Sequence, residues 1–114
     1  MPILHLDAII HFPAISNSEH GGKLLAQIED TSEADAPAIV VSRLVIDVPH
    51  LNLTVPQTLN IQLPYTERLG DLTFSVVFTK DISQPPAPDD LVTPDSVKVR
   101  HGETAHIHLV EYHH

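Results

Sequence analysis

The sequence predicts an all-β protein, a single-domain β-sandwich of about seven short strands over residues 1–114, with a partly open β-barrel as the alternative. Three observations lead to this prediction. The chain contains 11 Val, 10 Ile and 8 Thr, and these β-branched residues favour strands over helices. Ten prolines divide it into short pieces, between which no long run has apolar residues at helical spacing. Apolar and polar residues instead alternate with a period of two, as in strands with one buried face.

Three strands are predicted in the first half of the chain. The first covers residues 4–12, in which every even-numbered residue is apolar and most odd-numbered residues are polar. A connection at residues 17–22, which contains two consecutive glycines, leads to a second strand at residues 24–29. Residues 30–37 combine polar side chains that bond their own backbone with a final proline, so they are expected to form a turn. The third strand follows at residues 38–48.

The second half of the chain begins with a short segment between two prolines. Leu51 and Leu53 lie between Pro49 and Pro56, which favours an edge segment or an ordered loop because proline cannot donate to a sheet ladder. A clean alternation then predicts a strand at residues 58–63.

The heaviest apolar face of the chain lies on the next strand, at residues 72–78, which is expected at the centre of a sheet. Residues 81–94 contain four prolines and are predicted to form a surface loop. The chain is expected to end in a hairpin of residues 97–100 and 105–112, with Gly102 at a position where a positive φ costs little.

Composition excludes several classes of function. The formal net charge of −9 repels phosphate backbones and anionic membrane surfaces, so nucleic acid is not an expected partner. The absence of cysteine excludes disulfides, iron–sulfur clusters, zinc–thiolate sites and a cysteine nucleophile. No apolar run approaches the roughly 20 residues that a membrane span requires. The sequence thus indicates a folded acidic domain without a membrane span.

Nine histidines are the one unusual feature of the composition. His106 and His108 are two residues apart on a predicted strand, so both imidazoles project from one face about 7 Å apart, a common arrangement for binding Zn or Cu. If the first and last strands lie side by side, His5 or Asp7 supplies a third ligand. The alternative is that these histidines are ordinary polar surface residues and that residues 113–114 belong to a tag or tail.

No enzymatic activity is predicted. The serines lie in no Gly-x-Ser-x-Gly motif, and four glycines are too few for a glycine-rich phosphate loop. The carboxylates of residues 29–35 could pair as an acid and a base, but such a cluster is more often a solvated turn.

The predicted turn after the second strand carries a recognisable motif. Its residues are Asp30, Thr31, Ser32, Ala34, Asp35, Ala36 and Pro37. With the segment Ile-Gln-Leu-Pro-Tyr at residues 61–65 and the closing strands at residues 97–110, this motif resembles the YbaY/YscW family of small envelope lipoproteins, which includes type III secretion pilotins. The resemblance implies a compact β-sandwich without catalytic activity. In the pilotin branch it implies binding of a secretin segment and assistance in its delivery to the outer membrane.

The resemblance also bears on localisation. The first residues show no signal peptide and no lipobox cysteine. The sequence therefore leaves the location open: the resemblance suggests the periplasm or cell envelope, and the cytoplasm is the alternative.

Three apolar residues do not follow the inward parity of their strands. Ile9, Leu25 and Val77 each lie among polar residues, and they are predicted to contribute to an apolar patch that captures a hydrophobic segment of a partner protein. The alternative is that the loop at residues 81–94 covers this face. We therefore expect a binding or chaperone-like envelope accessory domain, with a histidine-dependent metal-binding protein as the alternative function.

Overall fold

The part of the chain that the structure describes contains nine β-strands. The computed structural model describes residues 3–14, 19–31, 37–52, 56–66, 71–80, 82–84, 90–94 and 97–112; for residues 19–21 and 49–52 only the backbone is described. The strands are β1 (Ile3–Phe12), β2 (Glu19–Asp30), β3 (Ile39–Asn52), β4 (Gln57–Thr66), β5 (Leu72–Thr79), β6 (Leu91–Val92), β7 (Val97–Lys98), β8 (Ala105–His108) and β9 (Val110–Glu111). Within these ranges there is no helix that could span a membrane.

The strands form two sheets that pack against each other. The first sheet has the order β4-β1-β8, and the second has the order β3-β2-β5-β6-β9, with β7 also pairing with β5. The pairing of β1 with β8 is parallel, whereas the other pairings are antiparallel. The sheets are not closed into a barrel. This arrangement confirms the predicted all-β sandwich over the barrel alternative.

The hydrophobic core lies between the two sheets and follows the predicted alternation. On β1 the even-numbered residues from Leu6 to Phe12 are buried, and on β2 those from Leu24 to Ile28 are buried. The rings of Phe12 and Phe78 meet edge to face with centroids 5.5 Å apart, joining the two sheets. The prediction that residues 72–78 form a central strand is confirmed, because β5 lies between β2 and β6 and its inward side chains are buried.

The predicted terminal hairpin is wrong. Strand β7 pairs with β5 in the second sheet, whereas β8 pairs with β1 in the first. A turn closed by the Glu103 N–H donating to the Arg100 carbonyl (3.2 Å) carries the chain from one sheet to the other. Gly102 in this turn has φ +79°, as expected. Alternation shows which face of each strand is buried but not which sheet the strand joins.

The glycine pair at residues 21–22 lies inside β2 rather than in a connection, which corrects the predicted strand start. A register shift between His20 and Gly22 interrupts the pairing with β3. A Cβ on Gly22 would lie 2.7 Å from the Thr79 carbonyl oxygen and 2.8 Å from Cε1 of Phe78. Glycine is required here because the backbones of β2 and β5 approach closely, as glycines in strands often permit.

The segment around Pro49 is an edge segment, as predicted. Residues 49–52 belong to β3, which pairs only with β2 among the described strands. Proline is tolerated at such an edge because no neighbouring strand needs its missing N–H. Leu53 lies outside the described residues.

Part of the predicted loop at residues 81–94 is a strand, β6. The Val76 N–H donates to Oγ1 of Thr93 (2.8 Å), and the Thr93 hydroxyl donates to the Val76 carbonyl (2.9 Å). The buried Thr79 hydroxyl donates to Asp90 Oδ2 (2.9 Å). These bonds attach the end of the proline-rich stretch to β5. Short-range patterns in the sequence do not predict this attachment. Residues 81 and 85–89 lie outside the described residues.

Candidate functional site

The three apolar residues predicted to bind a partner lie on two different faces of the sandwich. Leu25 and Val77 are direct register partners in the β2–β5 pairing, on the outer face of the second sheet. Ile9 lies on the outer face of the first sheet, opposite Asn60 on one side and His106 on the other. The structure therefore brings Leu25 and Val77 together and places Ile9 apart from them.

Leu25 and Val77 belong to a longer line of aliphatic side chains, which we call the aliphatic row. Its members, in order across β3, β2, β5, β6 and β9, are Val45, Leu25, Val77, Val92 and Val110. Each is the direct register partner of the next, so all five point to the same side of the sheet. At about 4.8 Å between neighbouring strands, the row spans about 19 Å across the sheet.

Exposure varies along the aliphatic row. Val45 and Val110, at its two ends, are 39% and 41% exposed. The three middle members are half-buried. The two ends of the row therefore offer exposed apolar surface to a partner, whereas neighbouring side chains partly cover its middle. Residues 81 and 85–89 of the proline-rich loop, the alternative cover for this face, lie outside the described residues.

Polar side chains border the aliphatic row on both sides. On one side Lys23 and Asp47 are register partners, with Nζ and Oδ1 3.5 Å apart. On the other side Gln27 is the register partner of Arg43 on β3 and of Ser75 on β5. An apolar centre with a polar rim is the usual arrangement of a protein–protein interface.

The sequence shows that Val45, Val92 and Val110 are aliphatic, but it does not show that they lie in line with Leu25. Val92 and Val110 come from the two-residue strands β6 and β9, which are too short to show an alternation. Their connection to the row depends on strand order and register.

A second feature, the histidine cluster of His11, His106 and His108, lies on the outer face of the first sheet. Parallel pairing of β1 with β8 places His11 beside His108 and Ile9 beside His106. Nε2 of His11 lies 3.2 Å from Nδ1 of His106. The rings of His11 and His108 stack with centroids 4.3 Å apart and an interplanar angle of 11°. Two separate strands thus bring three imidazoles into contact.

The predicted third ligands take other positions. His5 lies six residues before His11 on β1, about 20 Å away along an extended strand, and is the register partner of Pro64. Asp7 accepts a hydrogen bond from Nε2 of Gln62 (2.8 Å). The predicted neighbourhood of the first strand and the last predicted strand is found, because β1 pairs with β8. The histidine that this pairing places beside His106 and His108 is His11 rather than His5.

The two neighbouring rings act electrostatically on His11. Partial burial and the neighbouring His108 and His106 lower the pKa of His11, because each disfavours its charged form. A neutral imidazole has one N–H donor and one acceptor nitrogen, which matches the contact between His11 and His106. In the described part of the chain, no three His, Cys, Asp or Glu side chains are arranged, as they stand, to hold one metal ion.

A small cleft opens beside the histidine cluster. Leu6, Val97, Arg100 and His106 are among the residues that line it, and its volume is about 140 Å³. Pockets for small molecules are usually about 300–1,000 Å³. The cleft can accept a side chain of a partner but is small for an organic substrate.

Comparison with known proteins supports the fold. No protein-family model matches the chain, and no curated protein matches it, so membership of the YbaY/YscW family is not confirmed. A solved structure, that of an alternative pilotin from the type II secretion system of Vibrio cholerae, is similar with a TM-score of 0.66 and 16% sequence identity. The alignment covers 99% of this chain and 100% of that one. The chain therefore has the fold of a pilotin-like β-sandwich.

Proposed function

We propose that this protein is a non-enzymatic, pilotin-like accessory domain of the cell envelope that captures a hydrophobic segment of a partner protein. The observation that carries the proposal is the aliphatic row, with its five register-matched side chains across the second sheet. The whole-chain likeness to a pilotin supports an accessory role.

The direction of the row favours a helical partner segment. The row crosses the strands on the face of the sheet, where the backbone groups of the sheet are already paired within it. An extended peptide lying there would leave its own N–H and C=O groups without partners from the sheet. An amphipathic α-helix satisfies its backbone internally and presents an apolar stripe. A helix of about 13 residues matches the row's length of about 19 Å.

The net charge of the whole domain, rather than the rim of the row with its Lys23, Arg43 and Asp47, indicates the polar residues of the partner. With a formal net charge of −9, the domain attracts basic segments and repels acidic ones. We therefore expect a helix with leucine-like residues on one face and Lys or Arg on the other.

The test uses a fluorescent Leu/Lys amphipathic peptide of about 13 residues, measured by fluorescence anisotropy. A Leu/Glu peptide with the same pattern tests the contribution of charge, and a Ser/Lys peptide tests the contribution of the apolar face. The Leu/Lys peptide should bind in the micromolar range, and the other two should bind at least about tenfold more weakly. Equal binding of the Leu/Lys and Ser/Lys peptides would show attraction by charge alone and would contradict the proposal, as would no binding of the Leu/Lys peptide.

Variants locate the binding surface. Val77→Glu should weaken binding of the Leu/Lys peptide by about tenfold or more, because it places a charge in the middle of the row. Val110→Asp changes an exposed end of the row and provides a second variant that should fold normally. Ile9→Glu, at a half-buried position on the outer face of the opposite sheet, and Ile3→Glu, at an exposed position on the same face, are the matched controls. If the controls lose as much affinity as Val110→Asp, the row is not the binding surface.

A further inference from the structure

The histidine cluster lies on the outer face of the first sheet, and the aliphatic row lies on the outer face of the second. Any activity of the cluster is therefore separable from capture of a partner. Three of the nine histidines of the chain meet at this one place.

We propose that His11, His106 and His108 form a binding site for a divalent transition-metal ion, with Zn²⁺ favoured by geometry. Nε2 of His11 and Nδ1 of His106 are 3.2 Å apart. Two nitrogens at about 2.0–2.1 Å from a tetrahedral Zn²⁺ are about 3.3 Å apart. The spacing of the two nitrogens thus matches that of a ligand pair, whereas their rings lie nearly parallel, with centroids 5.5 Å apart and an interplanar angle of 24°, and have to turn to direct both lone pairs at one ion.

Binding of the ion replaces the contact between these two nitrogens. In the metal-free pair one nitrogen carries the proton and the other accepts it. A metal requires a lone pair on both, so the donating ring changes tautomer and its proton moves to the nitrogen that faces away from the ion. Both rings remain neutral, and no proton is released on balance. Both rings also turn about χ2 to direct their lone pairs at the ion, and the exposed position of His106 leaves room for this rotation.

The third ligand is His108. Its ring stacks face to face on that of His11, with an interplanar angle of 11°, so it has to leave this stack and turn a nitrogen towards the ion. The parallel pairing of β1 with β8 fixes the backbone of all three histidines, so the chain need only adjust side-chain torsions. Because His106 and His108 are exposed, water completes the coordination. A site of three neutral imidazoles selects borderline metals such as Zn²⁺ and Cu²⁺ over Mg²⁺ and Ca²⁺, which prefer oxygen ligands.

The experiment is isothermal titration of ZnCl₂ into the full chain carrying His113→Asn and His114→Asn. These two substitutions remove an adjacent histidine pair that could bind metal by itself. We expect one equivalent of Zn²⁺ to bind in the micromolar range or more tightly, and no saturable heat from MgCl₂. Absence of Zn²⁺ binding at millimolar metal, or Mg²⁺ binding with similar affinity, would overturn the proposal.

Single substitutions assign the ligands. His106→Gln, at an exposed position, should weaken Zn²⁺ binding by about tenfold or more without affecting folding. His11→Gln and His108→Gln should also weaken it. His5→Gln is the matched control, since His5 is an exposed histidine on the same strand and the same face as His11 but lies outside the cluster. Unchanged affinity in His106→Gln, or an equal loss in His5→Gln, would overturn the assignment. Since these residues lie opposite the aliphatic row, Leu/Lys peptide binding should be the same in all four variants.

Discussion

Truncation of Phe74 tests whether β5 is the centre of the core. Phe74 is fully buried on the central strand of the second sheet, and its replacement by Ala removes a ring and leaves a cavity between the sheets. Such substitutions cost about 3–5 kcal/mol, compared with a total stability of about 5–15 kcal/mol for a single domain. With an unfolding entropy of about 2.1 cal/mol/K per residue, this corresponds to a fall in Tm of about 13–21 °C for a chain of this length.

Urea unfolding followed by circular dichroism measures this loss as a change in the free energy of unfolding. Phe74→Leu, which leaves a smaller cavity, should cost about 1–1.5 kcal/mol and keeps the test informative if Phe74→Ala does not fold. Ser75→Ala, at the next position on the outward side, is the control and should change the free energy by less than about 0.5 kcal/mol. A loss below about 1 kcal/mol in Phe74→Ala would show that the register of β5 assigned here is wrong.

Three further substitutions, two at glycines and one that removes a hydroxyl group, are measured by the same unfolding experiment. Gly22→Ala should destabilise the protein by about 1–3 kcal/mol, because the new Cβ would lie 2.7 Å from the Thr79 carbonyl oxygen. No change in stability in Gly22→Ala would show that β2 and β5 are further apart than this distance. In Gly102→Ala the new Cβ meets open space, so the substitution should cost about 1–2 kcal/mol through the φ of +79° alone. Thr93→Val, which keeps the shape but removes the hydroxyl bonded to Val76, should cost about 1–3 kcal/mol because a backbone N–H loses its partner. No change in Thr93→Val would show that β6 does not depend on this hydroxyl.

The fold class and the buried face of the longer strands follow from the amino-acid sequence alone. Even-numbered residues of β1 and β5 were expected to point inward, and Ile10, Phe74 and Val76 are completely buried. This was possible because period-two alternation is local, and because Pro and Gly mark where strands end. The positive φ of Gly102 was predictable for the same reason.

Which strands are neighbours depends on the packing of the whole chain and does not follow from the pattern of any one strand. The alternation of β7 and β8 is compatible with a hairpin, yet the two strands join different sheets. The same limitation applies to both candidate sites. The sequence pointed to Leu25 and Val77 but not to the rest of the aliphatic row, and to His106 and His108 with His5 rather than with His11. Strand order and register depend on the packing of the whole core. Local sequence patterns therefore do not predict which residues distant along the chain become neighbours.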